Sequence, residues 1–272
     1  VIGGAPCQPF SKAGYWVGHE TRKGINDPRA FLVDEYLRVV LELSPDGFVF
    51  ENVESLLHPT NKVIVDSFIK LIQEAGYNYK IIRANALDYG VPQKRKRLFI
   101  VGIKGDFISE APRKTHGNPD SLQEGVLPYV SVGNVLAPYS GDEYFEPYEV
   151  TKGGTYYDDL CEVPPGQNYK ALTAWAGYPN PKFIADKRFW SFLLMLSPDK
   201  ASWTITAQPG PWVGPFHWEN RRLRVPEIAA LQTFPEDYIF KGSRRSVQKQ
   251  IGNAVPCLMG AAMIEYVKES LM

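Results

Sequence analysis

Cys7 stands in the stretch Gly4-Ala5-Pro6-Cys7-Gln8-Pro9-Phe10-Ser11, just after the apolar start Val1-Ile2-Gly3-Gly4. Each proline fixes its own φ and holds the residue before it extended, so Pro6 and Pro9 stiffen the loop that carries the thiol. A rigid thiol at the end of a strand, on the edge where α/β enzymes do chemistry, fits a nucleophile. A buried structural cysteine fits the same loop. Phe50-Glu51-Asn52-Val53 puts a carboxylate at the end of a second apolar strand. In a parallel sheet that end shares an edge with Cys7, though a solvated strand-end glutamate has the same pattern. In Gln93-Lys94-Arg95-Lys96-Arg97, alternation sends Gln93, Arg95 and Arg97 to one face of a strand and the lysines to the other. Two guanidinium groups on one face suit phosphates or base edges; a solvated basic edge is the plain alternative. In Gln250-Ile251-Gly252-Asn253-Ala254-Val255-Pro256, Gly-Asn precedes a helix, where backbone N–H groups are free to bind a carboxylate or simply to be capped.

These residues need a sheet to hold them, and the first 105 residues supply alternating strand and helix signals. Phe31 to Leu43 is apolar at helical spacing, through Leu32, Tyr36, Val39, Val40 and Leu43. Gly47 to Phe50 is a short apolar run suited to a buried parallel strand. Asn61 is placed to cap a second helix carrying Ile64, Phe68, Leu71, Ile72 and Ala75, with Gly76 as its stop. Tyr79 to Ala84 and Leu98 to Ile103 read as further strands. This order predicts an α/β sheet over 1–105. Between 106 and 218 prolines and glycines recur and helical periodicity fades, which predicts a smaller, irregular domain. Helix signals return over 219–272, in Pro226 to Phe234 and Val255 to Leu271.

The 272 residues are 44% hydrophobic and carry no net charge, enough apolar material for a sizeable core. The neutral total does not exclude a local basic cleft. Cys7, Cys161 and Cys257 are far apart, with no C-x-x-C and no Cys/His cluster, so a disulfide framework, a structural zinc site and a catalytic metal are not expected. No apolar run is long enough to span a membrane, and no signal peptide is visible. The chain starts inside a strand, which predicts an upstream segment, in the same polypeptide or in another.

Taken in order, Pro6-Cys7-Gln8-Pro9, Glu51-Asn52-Val53, Gln93-x-Arg95-x-Arg97, the Arg222 to Pro235 segment and Gly252-Asn253-Ala254-Val255-Pro256 resemble the C5-cytosine-specific DNA methyltransferases of bacterial restriction-modification systems. Asp27-Pro28-Arg29-Ala30-Phe31-Leu32 and Ala201-Ser202-Trp203-Thr204-Ile205-Thr206 resemble two further family segments. Ala230 stands where the family usually has Arg, and Pro226 where it usually has a polar residue. The family's glycine-rich F-x-G-x-G loop and the acidic residue after it have no counterpart in these residues.

The resemblance implies a doubly wound, Rossmann-like methyltransferase sheet, N-terminally incomplete, with a mainly β target-recognition domain over 106–218. It implies transfer of a methyl group from S-adenosylmethionine to C5 of a flipped cytosine in double-stranded DNA, through a covalent adduct to Cys7. Glu51 would hydrogen-bond the ring N3 and amine, Arg97 the ring O2, and Arg95 would sit beside the thiol and a phosphate. Pro6, Leu32, Asn253 and Ala254 would line the cofactor. Gln8, Ser11, Gln93 and Thr204 would contact DNA, and the Gly- and Lys-containing stretch 11–26 would close as a lid. A bacterial cytoplasmic, nucleoid-associated enzyme is expected. Cytosine-5 methylation of tRNA, and a split enzyme that needs a separate cofactor-binding chain, are the alternatives.

Overall fold

A computed structural model describes residues 1–6, 10, 31–185, 187 and 189–272. Backbone packing divides them into two units, residues 1–85, 96–114 and 260–272 in one and residues 86–95 and 115–259 in the other.

The first unit is built on a four-stranded sheet of β1 (Ile2–Gly4), β2 (Gly47–Asn52), β3 (Asn78–Asn85) and, after the short β4 (Gln93–Lys94), β5 (Lys96–Ile103), in the order β1-β2-β5-β3. β1 and β2 run parallel, with Gly4 opposite Glu51. β5 is antiparallel to both β2 and β3. The buried parallel strand expected at 47–50 is therefore parallel on one side only.

Alternation along β2 sends Phe48 and Phe50 to one face and Val49 to the other. On the first face they meet α1 (Phe31–Leu43) and α2 (Lys62–Glu74), through Val33, Leu37, Val40, Phe68 and Ile72. The Phe50 ring lies 4.9 Å from that of Tyr36 and 5.2 Å from that of Phe68. On the other face, Gly47 leaves room for Val267 and Leu271 of α7 (Cys257–Leu271). Helices on both faces make this a doubly wound α/β sheet. Asn61 does precede α2, but its amide donates to the Ser55 carbonyl rather than capping the helix. Gly76, at φ 84°, takes the left-handed conformation that ends α2.

The second unit is irregular. Its strands β4, β6 (His116–Gly117), β7 (Leu127–Pro128), β8 (Ser202–Trp203), β9 (Phe216–His217) and β10 (Arg221–Arg222) are two residues each. Its helices are α3 (Val132–Leu136), α4 (Tyr157–Glu162), α5 (Val225–Leu231) and α6 (Arg244–Asn253), and the first residues of α7 belong here too. The mainly β texture expected for 106–218 gives way to short 3-10 turns. Pro119, Pro138 and Pro147 each sit in the first positions of such a turn, where a preset φ helps and a missing N–H does no harm. One core joins Val132, Leu136, Ile205, Ile228, Leu231, Val247 and Ile251; a second gathers Tyr169, Leu172, Phe192 and Phe216.

Candidate active site

In the first unit, the β1–β2 register sets Glu51 beside Gly4, three residues before Cys7. A Cβ on Gly4 would lie 3.0 Å from the Glu51 carbonyl oxygen and 3.0 Å from its Oε2. Only glycine lets the carboxylate lie against the end of β1. Arg97 Nε lies 2.7 Å from Glu51 Oε1, with the two side chains 14% and 18% exposed. Arg97 also donates from Nη1 to the Lys96 carbonyl, at 2.8 Å. Such a half-buried pair holds both groups in one geometry better than a solvated pair does.

Asn52, fully buried, donates from Nδ2 to the Ala5 carbonyl at 3.1 Å, while its Oδ1 accepts from the Val53 N–H. It ties the end of β2 to the loop that leads into Pro6 and Cys7. Sequence reasoning gave Asn52 no role; its place between a glutamate and a valine at a buried strand end was the available signal. Cys7, Gln8, Ser11 and the rest of the stretch expected to form a lid lie outside the described residues. Leu32 is in the first turn of α1, exposed with Phe31, and Pro6 is half-buried.

In the second unit, Gln93 and Arg95 are at the centre of a buried polar network. Gln93 donates from Nε2 to the Leu231 carbonyl and to Gln232 Oε1, each at 3.0 Å, and its Oε1 accepts from the Ile205 N–H at 3.1 Å. Gln232 donates onward to the carbonyls of Ile251, at 2.7 Å, and Ala254, at 3.2 Å. Arg95 donates to the carbonyls of Ile205 at 3.2 Å, Gly252 at 2.8 Å and Ala254 at 2.9 Å. The expectation that Gln93 faces DNA is corrected by this geometry: its side chain is fully buried and every polar position of its amide acts within the unit. The described bonds of Arg95, 1% exposed, likewise go to main-chain carbonyls.

The network also explains the Gly252-Asn253-Ala254 stretch. A Cβ on Gly252 would lie 2.5 Å from the Ala207 backbone, so the close approach requires glycine. Gly252 and Asn253 end α6, a helix whose mostly polar sequence shows few apolar repeats. They do not open the next helix, so the free N–H groups expected there are not available: α7 begins at Cys257, whose N–H donates to the Gln232 carbonyl, and the Leu258 N–H donates to Thr233 Oγ1. Asn253 itself is exposed and Ala254 half-buried. Thr204 Oγ1 donates to the Lys94 carbonyl at 2.7 Å and stays half-exposed.

The segment before α5 is locked by buried charge. Arg221 grips Glu227 with two guanidinium nitrogens, at 2.9 and 2.8 Å. Arg224 pairs with Glu149 and donates to the carbonyls of Tyr139 and Gly141. Burial opposes the charge of Glu149, but the hydrogen bond and charge of Arg224 win, and its pKa is lowered. His217 Nδ1 accepts from the Glu219 N–H at 3.2 Å, with Nε2 3.8 Å from Glu227 Oε1. Burial first, then the Arg221 and Arg224 cations, push its pKa down to about 3, so the ring is neutral and its proximity to carboxylates is not an ion pair.

A doubly wound sheet whose strand ends set a carboxylate and a guanidinium together at the close of its first strand has the architecture of a methyltransferase catalytic unit. The structure superposes with TM-score 0.64 on a methyltransferase of Entamoeba histolytica, at 18% identity, over 100% of this chain and 77% of that one. The family model for C-5 cytosine-specific DNA methylases matches residues 1–269, and the chain belongs to that family. It is 41% identical to the type II methyltransferase M.SacI of Streptomyces achromogenes over 100% of this chain and 72% of that protein. It is 36% identical to the type II methyltransferase M1.HphI of Haemophilus parahaemolyticus over 98% of this chain and 67% of that protein. Membership carries with it a DNA substrate and a methyl donor.

Proposed function

We propose that the chain methylates C5 of a flipped cytosine in DNA, with Cys7 as nucleophile and Glu51 and Arg97 as its partners. The observation that carries this reading is the Glu51–Arg97 pair beside Gly4, with Asn52 holding the Ala5 carbonyl two residues from Cys7. Position 5 of cytosine is a poor nucleophile. Addition of the Cys7 thiolate at C6 breaks the aromaticity and moves electrons toward C5. Glu51 hydrogen-bonds N3 and steadies the charge that develops on the ring. Arg97 fixes the Glu51 carboxylate and faces O2. Once C5 carries the new methyl group, it loses its proton, and elimination of Cys7 restores the ring.

The donor in this reading is S-adenosylmethionine, which when bound supplies a methyl group on a positively charged sulfur. The residues of the first unit fit it in kind: the exposed apolar pair Phe31 and Leu32 suits an adenine ring. Arg95 acts as a positioning residue that holds Gly252 and Ala254. Residues 106–218 carry target choice, with Gln93 as part of the frame of the second unit. A cytoplasmic enzyme is consistent with the absence, among the described residues, of any helix long and apolar enough to cross a membrane.

A further segment, in the same chain or another, completes the cofactor site in this reading. The outer edge of β1 favours it: Ile2 is exposed, and Val1, Ile2, Val49, Ile264, Val267 and Leu271 line an apolar groove suited to one more strand. Transfer of labelled methyl from S-adenosylmethionine to unmethylated genomic DNA, with tRNA in parallel and Cys7→Ser as control, tests the proposal. Label on DNA that disappears in the variant is expected. Label on tRNA alone, or label on DNA that survives Cys7→Ser, overturns it.

A further inference from the structure

The β4–β8 ribbon has two faces. Gln93 pairs with Ser202, and both side chains are fully buried. Lys94 pairs with Trp203, so these two share the opposite, outward face. Lys94 is exposed and Trp203 half-exposed. Lys94 Nζ stands 4.9 Å from the Trp203 ring centre. Trp190, 48% exposed, meets Trp203 edge to face, with ring centres 4.4 Å apart and planes at 76°. Two indoles at a near-right angle make a partly exposed aromatic corner, with the Lys94 cation over one face of Trp203. Lys94 has no carboxylate within ion-pair distance among the described residues.

Adjoining exposed aromatic side chains with a cation beside them have the composition of an interaction surface. An acidic or purely apolar partner would leave either the aromatic faces or the cation unmatched. A nucleic acid matches both, because a base offers a flat π-face and its phosphate a negative charge one nucleotide step away. The inward side of the ribbon, Gln93 with its neighbour Arg95, is fixed by the buried network that also holds Ile205 and Gly252. The outward side is therefore rigid before any ligand arrives, and a preorganised aromatic surface loses little entropy on binding.

Resting on the DNA-methylating reading above, we infer that Trp203, Trp190 and Lys94 form a base-stacking platform for DNA. Trp203 and Trp190 take the face of a base that has left its stack, and Lys94 neutralises an adjacent phosphate. The two contributions separate by their salt dependence. Stacking is nearly independent of salt, whereas each neutralised phosphate adds close to one unit to the slope of log affinity against log salt concentration.

The test is fluorescence anisotropy of the full chain with two labelled 30-mer duplexes, one fully paired and one with a single bulged base, from 50 to 200 mM salt. Trp203→Leu is expected to weaken binding of the bulged duplex about 5- to 100-fold at an unchanged salt slope. Trp203→Phe keeps most of the affinity. Lys94→Gln makes the slope shallower by about one on both duplexes. Melting temperatures of the variants, compared with the parent, show that each is folded. A parent that binds both duplexes while Trp203→Leu and Lys94→Gln match it at every salt concentration overturns the platform and leaves the enzymatic reading standing. A parent that binds neither duplex and methylates no DNA overturns both.

Discussion

Replacing Arg95 and Arg97 one at a time tests whether the two guanidinium groups do different work. Arg95→Met keeps the aliphatic volume and removes every donor. Three main-chain carbonyls lose it: Ile205, Gly252 and Ala254. Ala254 retains Gln232 Nε2 at 3.2 Å, so two carbonyls are left short of a donor. Each costs about 1–3 kcal/mol when buried, and a methionine no longer needs the desolvation that a guanidinium did, which offsets part of the loss. A net loss of about 3 kcal/mol follows, and at about 2–4 °C per kcal/mol for a chain of this size the melting midpoint drops by about 6–12 °C. Arg97→Met removes a pair whose members are 14% and 18% exposed, so water replaces much of what is lost and the midpoint falls far less. Methyl transfer should show the reverse order: abolished by Arg97→Met, but retained by Arg95→Met at temperatures where that variant stays folded. Thermal unfolding by circular dichroism and a methyl-transfer assay at 15 °C read both effects. An Arg95→Met midpoint within about 2 °C of the parent, or an Arg97→Met midpoint as low as that of Arg95→Met, would refute the division of labour.

Three further outcomes are expected. Glu51→Gln keeps shape and loses charge and proton; methyl transfer should fall about 10²- to 10⁴-fold with donor affinity, measured by calorimetry, unchanged. Gly4→Ala puts a Cβ 3.0 Å from the Glu51 main-chain oxygen, which cannot swing away, so the strand pair shifts and the carboxylate with it. Turnover should drop about 100-fold while the fold loses only about 1–3 kcal/mol, and an unaltered rate would show that the close approach is unimportant. For His217, the folded pKa of about 3 lies below the ordinary value of 6.5, so the unfolded chain binds the proton first. The stability this site contributes is complete above pH 6.5 and is lost as the pH falls from 6.5 toward 3, by about 2 kcal/mol at pH 5. Melting temperatures from pH 7.5 to 5 should decline more steeply for the parent than for His217→Gln, and parallel curves would show that the imidazole is not neutral in the fold.

The parts of this fold that were legible in the sequence are those where apolar periodicity is strong. α1 occupies the Phe31 to Leu43 span read from spacing alone, and β2, β3 and β5 fall on the apolar runs that announce them. α6 was not legible because only Val247 and Ile251 repeat at helical spacing in a polar stretch, and its start is set by Ser243, whose hydroxyl accepts from the Ser246 N–H. The irregular middle region was recognised as such, but its few strands could not be read: two-residue strands carry no alternation.

For the site, residue types were legible and their surroundings were not. Alternation assigned Gln93, Arg95 and Arg97 to one face, as though all three did one job. In the structure the chain passes from β4 into β5 between them, and the consequences differ: Gln93 and Arg95 are buried among main-chain carbonyls, while Arg97 reaches a carboxylate. A linear pattern shows which side a residue faces and not what the chain has folded over that side. The Gln93 to Arg95 stretch, Gln232 and the Gly252 to Ala254 turn lie far apart in sequence and together supply a single hydrogen-bonded network. Such a network penalises any lone change, since the partner left behind is buried. Residue types at widely separated positions are therefore coupled by burial, and a short motif around a fully buried glutamine or arginine marks a frame as readily as it marks a reacting group.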